Sequence, residues 1–392
     1  MVAVQETMLT LGYDRYTAQT AYLNPTALLE NAQIIGQSKL GKTVFMHHLF
    51  TALMHVGWSL CYIAPLGNLD PLLRAVPKQR YQDVIFLSPF AEHVVPWNPL
   101  EGAASVEMLH LFESLLGDSF LYRSRDLLLM SILALNNVPD ATLEHIPKVL
   151  MNDLYRKRVV IPSITERAVA QFWTVEYEQW IKDRERTNAI APLLNKIRIF
   201  STSHPLRDML CAKGTFTVPS LFEGKIFLCD TGRGRLGDTE TILSSMILSK
   251  LTWAAMNTDR PYIVFYDNAN FANEKVLQAA GESTLGLVFA HQSESQIKVP
   301  AAANIFAFQV NTDDARKLEN IFPPWVQVGH LVDQTPYTCY AKGGQKTYRL
   351  ETPPPLGFTP SKTKERVLEQ SRRRYSRKRE AIHEYLRSII PN

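Results

Sequence analysis

The stretch "IIGQSKLGKTVF", residues 34–45, fits the pattern G-x-x-x-x-G-K-[ST] from Gly36 to Thr43. A short apolar run, "AQIIG" (32–36), leads into it, and a helical run, "TVFMHHLFTALMHV", leads out. That strand–loop–helix setting is the one a phosphate-cradling loop needs. The glycines let the backbone curl so that N–H groups face a phosphate, helped by the following helix N-terminus. On this reading Gly36, Gln37, Ser38, Lys39, Leu40, Gly41, Lys42 and Thr43 form the nucleotide-binding segment. Lys42 reaches the β- and γ-phosphates, and the Thr43 hydroxyl ligates Mg²⁺. The centre, Ser38-Lys39-Leu40, is bulkier than the small residues usual there. Leu40 is expected to crowd the loop, and Lys39 brings a second charge.

Outward from the loop, further short runs are apolar on both faces. They are "WSLCYIA" (58–64), "DVIFL" (83–87), "KIFLCD" (225–230), "YIVFYD" (262–267), "LGLVFA" (285–290) and "IFAFQV" (305–310). Such runs suit a buried parallel sheet, and their alternation with helical stretches predicts an α/β, doubly wound domain. Residues 105–210 break the pattern. Segments such as "SVEMLHLFESLLG", "YRSRDLLLMSILALNN" and "ERTNAIAPLLNKIRIF" carry helical periodicity and almost no strand signal. The expected organisation is therefore a nucleotide-binding domain over 1–104 and 211–350, interrupted by an all-α insertion at 105–210. "ETPPPLGFTP" (351–360) reads as a linker, so 351–392 is a Pro-rich linker followed by a basic helix.

Bulk composition narrows the classes. The chain has 392 residues, 46% hydrophobic and 20% charged. That is the profile of a soluble globular protein with room for more than one core. No apolar run approaches the length of a membrane span, and the N-terminus lacks the layout of a secretory signal. Cys61, Cys211, Cys229 and Cys339 are scattered without metal-ligand spacing and read as reduced thiols. A cytoplasmic location is expected, with any membrane association made through partners. The charge is polarised: residues 361–392 carry a net +6, leaving about −2 on the rest. Within that tail, "SRRRYSRKR" (371–379) offers Arg372, Arg373, Arg374, Arg377, Lys378 and Arg379 for sequence-independent contact with a nucleic-acid backbone.

"RPYIVFYDNANFA" (260–272) ends an apolar strand in Asp267, as expected for the acid that holds a metal-bound water. The next residue in most such motors is a Glu that orients the attacking water. Here it is Asn268, which cannot accept a proton.

At this point the chain resembles a family, the TraG/TraD-like coupling ATPases of conjugative type IV secretion, in the FtsK/HerA superfamily. The likeness runs in order through "VIFLSPFAEHVVPWNPLEG" (84–102), "ATLEHIPKVLMNDLYRKRVV" (141–160), "AQFWTVEYEQW" (170–180) and "RTNAIAPLLNKIRIFSTSHPLRDML" (186–210). It continues through "LFEGKIFLCDTGRGRLGDTETILSSMILSKL" (221–251), "GLVFAHQS" (286–293), "ANIFAFQVNTDDARKLENIF" (303–322) and "QSRRRYSRKREAI" (370–382). The resemblance implies a RecA-like P-loop NTPase domain with an all-α insertion, and ATP with Mg²⁺ as cofactors. It implies a ring homo-oligomer, a hexamer, that moves DNA and meets a relaxase or nuclease or secretion-channel proteins. It assigns Lys42 and Thr43 to phosphate and metal, Asp267 to the metal and Gln292 to sensing the γ-phosphate. An arginine acting across a ring interface is sought among Arg186, Arg198 and Arg207.

Three departures bear on hydrolysis. Asn268 replaces the Glu. "APLGN" (64–68) puts Ala64, Leu66 and Asn68 where the family has Asp-Pro-His-Gly-Asp. Ser283-Thr284-Leu285 replaces Ala-Arg-Lys. Glu274 and Glu282 are the nearby acids that could stand in. Two functions follow: a DNA-translocating ATPase, or a nucleotide-binding scaffold with poor turnover that organises a ring or recruits a partner. A P-loop kinase acting on a small molecule is disfavoured, because no acceptor-binding signature appears.

Overall fold

The computed structural model describes residues 8–101, 112, 122–182, 186–237, 239–295, 297–344, 346–357 and 362–389. The helical reading of 105–117 lies outside the described residues except at Phe112, which is helical. The chain forms two compact units, Met1–Leu87 with Val218–Arg373, and Ser88–Thr217 with Arg374–Asn392. These limits differ from the 104/105 and 210/211 boundaries expected from sequence. Residues 88–101 go with the helical block, and the basic tail is shared between the units.

In chain order the strands are β1 Leu9–Asp14, β2 Gln19–Leu23, β3 Ala32–Ile35, β4 Leu60–Ala64, β5 Val84–Leu87, β6 His93–Val94 and β7 Ile226–Asp230. They continue with β8 Ile263–Tyr266, β9 Gly286–His291, β10 Asn304–Ala307, β11 Thr338–Gly343, β12 Lys346–Glu351 and β13 Arg377–Lys378. The first unit holds one sheet in the order β2-β1-β12-β11-β10-β3-β9-β8-β4-β7-β5. From β10 to β5 every pairing is parallel. These are the apolar runs read from the sequence. Five of them, β3, β4, β8, β9 and β10, are buried at every position because helices cover both faces.

The remaining strands, β11, β12, β1 and β2, extend the sheet with antiparallel pairings. They alternate buried and exposed residues or carry glycine, as in "LTLGYD", which hides them among loops when continuous apolarity is the signal.

One face of the sheet is covered by the helix Lys42–Val56, which buries Phe45, Met46, Leu49, Phe50, Leu53 and Met54. On the other face Ile35, Ile305, Ala307 and Val310 pack with Leu318 and Leu331 of the helices Thr312–Glu319 and Val328–Val332. Seven parallel strands open their C-terminal ends on one edge, where open α/β sheets bind ligands. Residues 36, 65, 231, 267, 292 and 308 are thus delivered to that edge by different strands.

The second unit is helical apart from the pairing of β6 with β13 among its described residues. Its core centres on Phe172, Trp173 and Tyr177, whose rings meet edge to face. Arg156 is wholly buried, with its guanidinium 4.7 Å from the Tyr177 ring and Nη1 donating to Val149 O at 2.9 Å. The single basic helix expected after the linker is two helices, Thr363–Tyr375 and Arg379–Ile389, separated by β13. Val367 and Ser371 of the first are buried in the sheet unit, where Ser371 Oγ accepts the Phe86 N–H at 3.0 Å.

Candidate functional site

The loop after β3 takes the conformation its glycines permit. Gly36 has φ +153° and Gly41 φ +109°. A β-carbon on Gly36 would lie 2.7 Å from Phe308 Cβ, so both the turn and the close approach need glycine. Gly36 N–H donates to His291 O at 3.3 Å, and Gln37 N–H to Gln309 O at 2.8 Å, tying the loop to the ends of its two neighbouring strands. Leu40 does not crowd the loop as expected. Its side chain turns into the core beneath, while Gln37, Ser38 and Lys39 stay exposed.

Lys42 begins the helix, and its Nζ donates to Gly36 O at 2.6 Å and Gln37 O at 2.7 Å. Burial pushes its ammonium pKa down to about 8, against the opposing pull of Asp267. Thr43 Oγ1 donates to Asp267 Oδ2 at 2.9 Å, joining the phosphate loop to the end of β8. Asp267 is only 5% exposed. Burial raises its carboxyl pKa, and Thr43, the Asn268 N–H, Lys42 and Tyr62 hold it down in turn. Tyr62 of β4 donates to Oδ2 at a long 3.4 Å, and burial pushes its phenol well above the usual range.

These residues fit a hard divalent cation accompanied by phosphate. A buried carboxylate sits against a threonine hydroxyl, and the cation facing it among the described residues is a lysine whose own charge is disfavoured. Among the described residues no cluster of three or more His, Cys, Asp and Glu could hold a metal without such a ligand.

Asn268 has φ +54° and ψ +50°, and its N–H donates to Asp267 Oδ1 at 2.9 Å. Asparagine is among the few side chains that tolerate this left-handed backbone. The substitution for Glu thus has a local backbone reason. Of the two proposed stand-ins, Glu282 lies at the wrong edge of the sheet. Its neighbour Gly281 accepts from Asn31 Nδ2 at 2.7 Å, and Asn31 precedes β3 whereas the loop follows it. Glu274 is exposed and accepts the Lys298 N–H at 3.0 Å.

Gln292 follows β9, whose His291 is in register with Ile35, so it stands beside the first loop residue. Beneath it runs a buried polar chain that sequence reasoning missed. Gln33 Nε2 lies 2.9 Å from His291 Nε2 and 3.3 Å from Glu294 Oε1, and Asp314 Oδ1 accepts the Glu294 N–H at 3.2 Å. Burial pushes the His291 pKa down to about 4, leaving a neutral ring able to accept the amide proton. A second buried acid was also missed. Glu240 accepts from Thr231 Oγ1 at 2.6 Å, with Arg233 Nη1 at 3.7 Å, just beyond β7. A polar residue inside an apolar strand, Gln33 or Tyr62, was the available signal.

In the second unit Arg198 is exposed and Arg207 pairs with Glu144 at 3.5 Å, while the Arg186 side chain lies outside the described residues. Arg372, Arg373, Arg377 and Lys378 are exposed. Arg379 is not available as expected. Its guanidinium pairs with the buried Asp208 and donates to Pro89 O at 2.7 Å and Ala91 O at 2.9 Å, a structural role that fixes the last helix.

No protein-family model matches the chain, and no curated protein sequence does. Solved structures do match. The bacterial conjugative coupling protein TrwB, lacking its first 70 residues, aligns over 91% of this chain and 90% of its own, at 13% identity and a TM-score of 0.60. TrwB in complex with ADP and Mg²⁺ aligns over 90% and 97%, at 13% identity and 0.59. VirB4 of Thermoanaerobacter pseudethanolicus aligns over 91% and 98%, at 10% identity and 0.60. The chain has the fold of these proteins. That is the RecA-type P-loop NTPase fold expected from the sequence.

The Asn268 geometry makes a stability prediction. Asn268→Glu should lower unfolding free energy by about 1–2 kcal/mol, whereas Asn268→Gly should change it by a few tenths. Urea denaturation checks this, and equal stability of the Glu variant would contradict the backbone account.

Proposed function

We propose that this chain is an ATP-binding P-loop ATPase of the conjugative coupling kind, acting on DNA as a ring homo-oligomer, most simply a hexamer, in the transfer of a mobile element. The observation that carries the reading is the 2.9 Å hydrogen bond from Thr43 to Asp267, which unites the two halves of a nucleotide–metal site 224 residues apart in sequence. The fold shared with TrwB and VirB4 supports it, as do TrwB complexes with ADP and Mg²⁺ and with a non-hydrolysable ATP analogue.

In this proposal the loop N–H groups from Ser38 to Thr43 bind phosphate oxygens, and Lys42 leaves the Gly36 and Gln37 carbonyls to pair with the β- and γ-phosphates. Mg²⁺ at Thr43 and Asp267 supplies charge neutralisation at those phosphates. Gln292 faces the terminal phosphate from β9. Arg372, Arg373, Arg374, Arg377 and Lys378 contact the DNA backbone without reading bases. Among the described residues no helix is long and apolar enough to cross a membrane. A cytoplasmic site of action with relaxase, nuclease or secretion-channel partners is part of the proposal.

A second reading, a nucleotide-binding scaffold with weak turnover, is favoured by one observation. Asn268 has no proton-accepting group, and its backbone is fixed by the bond to Asp267. Loss of a positioned base commonly costs about 10²–10⁴ in rate.

Two measurements test these readings. Steady-state ATP hydrolysis, with and without single- and double-stranded DNA, should be stimulated by DNA and abolished in Lys42→Ala. Nucleotide binding without turnover in any condition would favour the scaffold. The affinity for ATP should fall about tenfold between pH 7 and pH 9. Lys42 is charged below its free-state pKa of about 8, and above it must take up a proton to pair with phosphate. Calorimetry in buffers of different ionisation heat reads that proton uptake, and a pH-independent affinity would contradict it.

A further inference from the structure

Tyr337, in the loop before β11, has φ +62°, a left-handed backbone that bulky side chains rarely adopt. Two sets of contacts hold it there. Its N–H donates to Leu40 O at 2.9 Å, and its carbonyl accepts from Thr352 N at 2.8 Å and Thr352 Oγ1 at 3.0 Å. The ring is thereby laid on the phosphate loop. A β-carbon on Gly41 would meet Tyr337 Cδ1 at 2.9 Å and Cε1 at 3.4 Å. Tyr337 is half-buried, and Thr335 and Pro336 before it are exposed, so part of its surface stays open to solvent. Backbone strain of this kind persists only where the surroundings enforce it, and it concentrates at ligand sites.

The sheet order gives the ring a direction. β3 lies between β10 and β9. Asp267 and Gln292 follow β8 and β9 on one side of the loop, and Tyr337 precedes β11 on the other. A nucleotide whose terminal phosphate and metal face Asp267 and Gln292 must send its nucleoside the opposite way. We propose that Tyr337 is the stacking platform for the purine of the bound nucleotide, set by its backbone against Gly41. This rests on the phosphate-loop reading above and adds the base to it. A phenol ring offers its face to any purine, so adenine and guanine are held alike at this residue.

The test compares the full chain with Tyr337→Ala and Tyr337→Phe, titrated calorimetrically with ATP and with inorganic tripolyphosphate, each with Mg²⁺. Tyr337→Ala should weaken ATP about tenfold and leave tripolyphosphate within twofold, and Tyr337→Phe should keep the affinity for both. GTP should follow ATP. Equal weakening of ATP and tripolyphosphate in Tyr337→Ala would overturn the proposal and make the residue a clamp on the loop alone. Unchanged ATP affinity in Tyr337→Ala would overturn it too. If the unaltered chain binds tripolyphosphate as tightly as ATP, no base contact exists. If it binds neither, the phosphate-loop reading itself fails. Melting curves of all three proteins ensure that folded protein is compared, with Tyr337→Phe as the variant that keeps ring and backbone.

Discussion

Burying a carboxylate without compensation is among the larger penalties a fold can carry, and Asp267 is a buried carboxylate at the end of a central strand. Its neighbours are arranged around that charge. Thr43 and the Asn268 N–H each donate at 2.9 Å, Tyr62 points its hydroxyl at the same oxygen that Thr43 uses, and Lys42 supplies the nearest positive charge. Three of these four come from other parts of the chain, and the fourth from a backbone held in an uncommon conformation. The site is therefore a consequence of strand order. Only a sheet that sets β3 two strands from β8, with β9 between, brings Thr43 to Asp267.

The same edge concentrates the other unusual features. Gly36 is pressed against Phe308, Gly41 lies under Tyr337, and Lys39, Asn268 and Tyr337 all have positive φ without being glycine. Such conformations cost free energy at each residue; others occur at Ala18, Asn31, Asn68 and Asp140, but these three share the edge where the phosphate loop lies. The strands beneath are relaxed and continuous. Rigidity comes from the core on both faces, and Lys39, Asn268 and Tyr337 stand in the loops that would meet phosphate, metal and base.

Much of this was legible in the sequence. The seven parallel strands announce themselves because burial on both faces demands unbroken apolar runs, and the phosphate loop because its glycines, lysine and threonine have fixed spacing. The antiparallel strands β1, β2, β11 and β12 do not, since one-sided burial leaves them mixed in composition. Asp267 could be picked out as a strand-end acid. The reason for Asn268 could not, because a left-handed φ leaves no trace beyond the asparagine itself. Tyr337 and Gln33 act through distant partners, Leu40 and His291, that only the folded sheet supplies. Arg379 looked like its basic neighbours until the buried Asp208 claimed it. Leu40, which looked like an obstruction, is a core residue.

The central claim is that Thr43 and Asp267 form the metal half of a nucleotide site. The direct measurement is the affinity of a non-hydrolysable ATP analogue with and without Mg²⁺, by calorimetry, for the unaltered chain and for Asp267→Asn. Mg²⁺ should tighten binding about tenfold or more in the unaltered chain, and this gain should fall to within twofold in Asp267→Asn, while metal-free binding persists. An equal gain from Mg²⁺ in both proteins would contradict the account and separate the Asp267 carboxylate from the metal.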